Sequence, residues 1–404
     1  MRIAFISYEF PPDTGKGGIG TYTSQVASML AKHNWDVHVF AGSFSRQCER
    51  KENGVVIHWI KIEGPEDFRL KVLPVFSIEH VATAFDLIES AEIHGNAWEI
   101  KKTFPDIPLV VRLHAPNCLV EQLKKKYIPF SAKLRFFLGA LKRGRWDAGY
   151  WRTYNYRSDT DYQFCILADR ITAPSYTMKQ WAVANWQLSA DSITVIPNIF
   201  TAPAAMTEMA IHHNAVNKEI LFFGRLNVLK GLVNATMAIK KILSEFPAYR
   251  FKVIGDDWAG PVHKQTMRQW MQQQLSTVGE RVFYLNGLPY DQLPGAIADA
   301  EIVLLPSLFE SFSYTCAEAM AAGKAVVASR ATGMADMIEH NKNGLLIDPE
   351  NVSEIYAALK QMILDNERRY RMAVQARESI LTKFNSDMLI EKYRNFYNLE
   401  VNPA

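Results

Sequence analysis

Cysteine is scarce, with 4 in 404 residues. Cys48, Cys118, Cys165 and Cys316 stand far apart and form no CxxC pair. That spacing excludes a disulfide framework and a zinc knuckle, and it fits a reducing, cytosolic compartment. No apolar run approaches the ~18 residues of a membrane-spanning helix. The apolar stretch in the opening MRIAFISYEFPP is too short for the hydrophobic part of a secretory leader. Neither sign of charge dominates: 45 Lys+Arg against 42 Asp+Glu leave a net +3, which argues against a nucleic-acid partner. With 48% hydrophobic and 22% charged residues, the chain is neither disordered nor collagen-like. At roughly 100–200 residues per domain the length suggests two domains.

What is present is an alternation of short apolar runs and amphipathic stretches. Strands are expected at Arg2–Ser7, Asp36–Ala41, Val55–Ile60, Asp86–Ile88, Leu109–Leu113, Arg170–Ala173 and Ser192–Ile196. Residues 199–218 lack periodicity and read as a linker. The pattern restarts with Ile220–Phe223, Phe251–Ile254, Val282–Tyr284, Ile302–Leu305, Ala325–Ala328 and Leu345–Ile347. Helical spacing joins these runs: Thr21–Lys32 in the first half, and Val233–Glu245, Val262–Val278, Leu293–Ile297, Tyr314–Ala322, Ala335–Ile338 and Val352–Asn366 in the second. Alternating strands and helices argue for two parallel α/β domains, 1–200 and 201–385, facing across a cleft. In open α/β sheets ligands sit beyond the carboxyl ends of the strands, so the residues just after each strand carry the interest.

Residues 11–20, PPDTGKGGIG, follow the first strand and open the first helix. Glycines there let backbone N–H groups approach an anion at a helix N-terminus. The G-x-G-x-x-G spacing is formally present at Gly15, Gly17 and Gly20, but two prolines separate it from the strand and no acid follows the second strand. A nicotinamide site is therefore rejected. Gly224-Arg225 and Lys230-Gly231 place two cations just past a strand, which suits a diphosphate; a solvated surface pair is the bland alternative. Glu310 follows the strand Ile302–Leu305, and Glu318 lies in the first turns of the next helix. Both could accept bonds from sugar or ribose hydroxyls. Thr315-x-x-Glu318 also reads as a capping box, a purely structural role for Glu318.

His114 ends the strand Leu109–Leu113, at the expected cleft edge. Asp159-Thr160-Asp161 has the form of a metal-binding DxD but stands away from a strand end and is not taken as a metal site. Residues 119–157 hold ten Lys and Arg against Glu121 and Asp147, interleaved with aromatic and aliphatic residues. This stretch is either a contact for an anionic membrane or acidic acceptor, or a core-packed helix pair with a solvated basic face.

Together these motifs resemble the retaining glycosyltransferases of family 4, which have the two-domain GT-B fold. The resemblance runs from MRIAFISYEFPPDTGKGGIGTYT through ADRITAPS, ITVIPN, LFFGRLNVLKG and FKVIGDD to the E-x7-E segment 310–318 and ATGMADMIEHNKNGLLIDPEN. It implies that Gly17 and Gly18 approach the donor diphosphate, and that Arg225 and Lys230 bind it and stabilise the leaving nucleotide. It implies that Glu318 takes the ribose hydroxyls and Glu310 the donor sugar, near the amides of Phe312, Ser313 and Tyr314. His114 would lie near the transferring sugar, and Asn286-Gly287-Leu288 would hold the base. The C-terminal helix, 386–404, would cross back onto the N-terminal domain. Two departures stand out: Ser313 where the family often has glycine, and Asp256-Asp257-Trp258 where it usually has a glycine pair. The implied activity is metal-independent transfer of a hexose, glucose from UDP-glucose first, to a hydroxyl of a saccharide or lipid-linked saccharide in polysaccharide synthesis. No cofactor is expected beyond the nucleotide sugar, and the acceptor pocket is expected in N-terminal loops such as Glu92-Ile93-His94-Gly95. The alternatives are a sugar-nucleotide epimerase on a similar fold and a non-catalytic adaptor at a membrane surface.

Overall fold

A computed structural model describes residues 1–15, 17–128, 130–146, 149, 154–213 and 217–398. Lys16, Asp147, Arg152 and 399–404 of the sequence-expected features lie outside them. The chain forms two compact units, one of residues 1–117, 155–201 and 383–404, the other of 118–154 and 202–382. The boundary expected near residue 200 places 118–154 in the first domain, whereas the described residues of this stretch group with the second unit.

The first unit is built on an eight-stranded sheet of β1 (Arg2–Ser7), β2 (Asp36–Ser43), β3 (Cys48–Glu52), β4 (Val55–Lys61), β5 (Leu87–Ala91), β6 (Leu109–Arg112), β7 (Arg170–Ala173) and β8 (Ile193–Val195). The order is β3-β4-β2-β1-β5-β6-β7-β8, parallel throughout except for the β3–β4 pair. β3 is the strand the sequence concealed. Its residues, CERKE, are all exposed, so it carries no apolar signal, and its charges suit an edge strand. The helix Pro65–Ala82 was missed for a similar reason. Pro74 lies inside it and only Phe68, Val72 and Phe76 are buried. The helix Ser386–Asn398 belongs to this unit, with Leu389, Ile390, Tyr393, Phe396 and Tyr397 in the same apolar cluster as Ile3, Phe5, Val37 and Trp59.

The second unit has a six-stranded parallel sheet of β9 (Glu219–Phe223), β10 (Arg250–Ile254), β11 (Val282–Leu285), β12 (Ile302–Leu305), β13 (Ala325–Ser329) and β14 (Leu345–Ile347), in the order β11-β10-β9-β12-β13-β14. β9, β12 and β13 are buried on both faces and read as near-continuous apolar runs, as inner parallel strands do, whereas β10 alternates with half-buried Arg250 and Lys252 and the edge strand β11 exposes Phe283 and Leu285. The expected helix Val262–Val278 is shorter, Met267–Gln274, because Thr266 and Gln269 form a capping box that starts it late. A further helix, Asn366–Lys383, follows Val352–Leu364; its charged sequence hid it.

Each sheet has one point where strand order reverses: between β1 and β5 in the first, and between β9 and β12 in the second. A crevice opens at such a point beyond the strand ends. Most of the sequence candidates follow these strands.

Candidate active site

In the second unit, the loops after β9, β10 and β12 are locked together by backbone bonds. Gly224 N donates to Ile254 O at 2.9 Å, Leu226 N to Asp256 O at 2.8 Å, and Leu308 N to Leu229 O at 2.8 Å. Two glycines permit this approach. A Cβ on Gly231 (φ 68°) would lie 1.7 Å from Pro306 O, and one on Gly255 (φ 154°) would lie 1.8 Å from Gly224 O. Any side chain there would force the strand ends apart.

The closure brings Lys230, from the loop after β9, against Glu310, from the loop after β12. Lys230 Nζ and Glu310 Oε1 form an ion pair, both side chains less than a fifth exposed. Ser307 Oγ donates to the same oxygen at 3.2 Å. Asn227 accepts from Lys230 N at 3.2 Å and fixes the short turn that presents the lysine. Arg225 is exposed and turns instead toward Trp258, with its guanidinium carbon 5.7 Å from the ring centre. That contact gives a use to one residue of the departure at 256–258. Asp257 serves another purpose, accepting from Arg268 N at 3.0 Å.

The helix Tyr314–Ala321 begins with Ser313 as its cap, whose Oγ accepts from Cys316 N at 3.3 Å. The capping box read at Thr315 and Glu318 is therefore not formed: Thr315 already lies inside the helix. Ser313, where the family often has glycine, turns its hydroxyl to its own helix, capping Cys316 N and meeting Thr315 Oγ1 at 3.0 Å. Freed of the capping role, Glu318 is 8% exposed and its carboxyl is pushed up to about 8 by burial, with a hydrogen bond to Tyr290 working weakly against the shift. Phe312 is buried and Tyr314 half-buried, their rings edge-to-face at 5.2 Å. Leu288 is half-buried in the loop after β11. Arg268 braces that loop, with Nη2 3.2 Å from Leu285 O and 3.0 Å from Asn286 Oδ1. Sequence reasoning missed both Arg268 and Tyr290. Arg268 sits in a polar helical run, RQWMQQQ, and Tyr290 in a turn, where neither pattern nor spacing marks them.

Gly17, Gly18 and His114 belong to the first unit. Gly17 caps the helix Gly18–Lys32 without a side chain. A Cβ on Gly18 would meet nothing within 4 Å, whereas one on Gly17 would lie 3.1 Å from the Glu9 carboxylate. Gly18 is thus the more open of the two to an anion. His114 is 5% exposed, its ring edge-on to Tyr22 at 5.3 Å. Burial, then the Arg112 charge, lowers its imidazole to about 3, so it is neutral at working pH and cannot act as an acid. Its backbone N–H donates to both oxygens of Glu92 at 2.9 Å. Glu92 is fully buried, and burial followed by the Asp161 charge pushes its carboxyl up to about 8.

The DxD residues have structural uses. Asp159 caps the helix Thr160–Cys165, and Asp161 accepts from His94 N at 3.3 Å and Asn117 N at 2.9 Å. Among the described residues the one His/Glu trio close enough to share an ion is His38, His58 and Glu79. Arg2 Nη2 lies 3.2 Å from His38 Nε2 and 3.6 Å from Glu79, so a guanidinium already holds that position.

Two α/β units with cations and carboxylates at their switch points form a class of two-domain ligand-binding folds, and comparison with known proteins gives the family. Residues 16–200 match Glycosyltransferase Family 4, and residues 209–379 match Glycosyl transferases group 1. The chain belongs to the family 4, group 1 glycosyltransferases and has their GT-B fold. It is 21% identical over 412 residues to an uncharacterised glycosyltransferase of Methanocaldococcus jannaschii, covering 99% of this chain and 98% of that one. Among solved structures it resembles sucrose-phosphate synthase from Thermosynechococcus elongatus, with a TM-score of 0.73, 17% identity and 98% of both chains covered. It also resembles Anabaena HepE in complex with UDP, with a TM-score of 0.68, 19% identity and 98% and 99% covered.

Proposed function

We propose that the chain is a retaining hexosyltransferase, working without a metal, that moves glucose from UDP-glucose to a hydroxyl of a saccharide or lipid-linked saccharide in polysaccharide synthesis. The observation that carries this reading is the Lys230–Glu310 pair at the β9/β12 switch point. UDP in the HepE structure supports uridine as the base.

On donor binding, Lys230 passes from the Glu310 carboxylate to the diphosphate, and Glu310 is released to the sugar hydroxyls. Arg225, on the same loop, supplies the second cation. The bond from the anomeric carbon to the phosphate oxygen breaks, and its electron pair goes to the diphosphate. The acceptor oxygen bonds to that carbon from the same face, and its proton passes to the departing phosphate oxygen. No protein base is needed, and stabilising the developing diphosphate charge is the largest contribution of the chain. Glu318 is mostly protonated at neutral pH, so it can both donate to and accept from ribose hydroxyls. His114 serves as a neutral hydrogen-bonding group.

Lys230→Ala is expected to lower turnover about 100- to 1000-fold, as for loss of one donor to a transition-state anion. Wild-type turnover should persist in EDTA, and proton NMR should show an α-linked product from the α-linked donor. Unchanged turnover in both Lys230→Ala and Arg225→Ala would remove the diphosphate assignment. A β-linked product would remove retention.

A further inference from the structure

The transfer chemistry leaves the basic stretch 119–157 without a use. Its second helix, Phe130–Lys142, buries one residue, Ala140. Leu134, Leu138 and Leu141 are 40%, 49% and 40% exposed. Their spacing of four and three residues sets them in one row along the helix. At about 100° per residue, Ala140 points more than a quarter turn away from that row, so the leucines do not share the side the protein covers. Trp146, just beyond the helix, is 82% exposed. On the same turns Lys133 flanks the row on one side, and Arg135 and Lys142 on the other; Arg143 and Arg145 follow. Among the described residues none of these five cations is in an ion pair, whereas Lys124 pairs with Glu121 at 2.8 Å and Lys126 with Glu350 at 3.0 Å.

A core-packed helix would bury its leucines, and a merely solvated one would not carry a leucine row. We propose that the helix Phe130–Lys142 and Trp146 form a docking element for the surface of an anionic lipid bilayer. A leucine row bordered on both sides by unpaired cations matches such a surface in both of its layers. Leucine and tryptophan enter the headgroup–acyl boundary while Lys and Arg meet lipid phosphates. Charge argues against a second copy of the chain as the occupant, since two such faces would set unpaired cations against one another. Among the described residues no helix is long and apolar enough to cross a membrane, so the contact is peripheral. The inference does not depend on the transfer reading.

Co-sedimentation of the full chain tests it, using mixed phosphatidylcholine–phosphatidylglycerol vesicles and phosphatidylcholine alone. At low salt the protein should sediment with the mixed vesicles, stay in solution with the neutral ones, and be released as salt rises. Arg135→Gln and Lys142→Gln should each weaken partitioning about fivefold. The double variant Leu134→Ser, Leu138→Ser should weaken it at least about tenfold. The two Gln variants should leave the melting temperature unchanged, because Arg135 and Lys142 are exposed, and the leucine variant should lower it only slightly, because Leu134 and Leu138 are 40% and 49% exposed. Absence of sedimentation with mixed vesicles at low salt would overturn the proposal. So would equal binding to neutral vesicles, or binding that survives every variant. Sedimentation velocity covers the rival occupant: a dimer that the leucine variant dissolves would assign the row to a second copy. UDP binding measured on the same preparations reads the donor site separately, so failure of one reading leaves the other standing.

Discussion

The two sheets put their charges to different use. In the second unit the chemistry-bearing side chains stand at strand ends on loops closed by glycine, and Lys230 and Glu310 meet there within reach of a ligand. In the first unit they are sunk in the core. Glu89 is 2% exposed and accepts from Tyr22 Oη at 2.6 Å, and it is also bonded to Tyr397 of the C-terminal helix. Arg112, 1% exposed, lies 4.6 Å from the Tyr22 ring centre and donates to Ile196 O at 2.7 Å and Asn198 Oδ1 at 2.6 Å. Tyr393 Oη donates to Pro197 O at 3.2 Å. The first arrangement suits a charged ligand that comes and goes. The second fastens the C-terminal helix to the sheet and keeps its ionisable groups from water.

The comparison breaks most readily at Glu89. Glu89→Leu removes the acceptor of the buried Tyr22 and Tyr397 hydroxyls and the carboxyl whose charge acts on buried Arg112. A loss of about 3–5 kcal/mol is expected from the two orphaned hydroxyls and the less compensated guanidinium together. Denaturant unfolding followed on the first unit should show it, with UDP binding by the folded protein preserved. A loss under 1 kcal/mol would mean that Arg112 is satisfied by Ile196 and Asn198 alone.

The next effect is a pH dependence from Glu318. Its carboxyl is raised from 4.5 to about 8 in the folded protein, so between those values the folded state holds a proton that the unfolded state has released. This contribution to stability is therefore full below pH 4.5 and is lost as pH rises toward 8, by roughly 3 kcal/mol at pH 7. The stability of Glu318→Gln relative to wild type should rise across that window and level off above it. Glu92 follows the same sign, and His114 the opposite one below pH 6.5, so the variant-minus-wild-type difference isolates Glu318. A flat difference would show Glu318 ionised in the folded state.

The smallest effect sharpens the contrast at the helix start. Ser313→Ala should cost about 1 kcal/mol of stability through loss of the cap. Turnover should be little changed if the Ser313 side chain has no duty to the donor, and a large fall in turnover would give it one.

Much of the second unit was legible in the sequence because its central strands β9, β12 and β13 are buried on both faces and most of its site residues follow β9 and β12 directly. Ile302–Leu305 and Leu345–Ile347 have the bounds expected from the apolar runs. Gly224, Arg225, Lys230, Gly231, Glu310 and Glu318 could be singled out by position alone. The first unit was less legible. β3 holds one exposed cysteine and four charged residues, so no apolar alternation reveals it, and Glu89 and Arg112 are polar residues whose burial no local pattern announces. The capping box at Thr315 matched the local rule and was wrong, because Ser313 stands two residues earlier and the helix starts after it.

The sequence by itself determined the alternation of strand and helix, the pause near residue 200 and the cations and carboxylates that follow strands, since these depend on periodicity and near-neighbour chemistry. Only the tertiary structure decided that Lys230 meets Glu310, 80 residues away, and that Glu318 is buried beside Tyr290. It also decided that Tyr397 reaches Glu89, 308 residues away, and that the leucines of Phe130–Lys142 face outward. Pairing across such separations, and the loss of water that moves a carboxyl to about 8, arise when distant segments pack together, and no local window of the chain contains both partners.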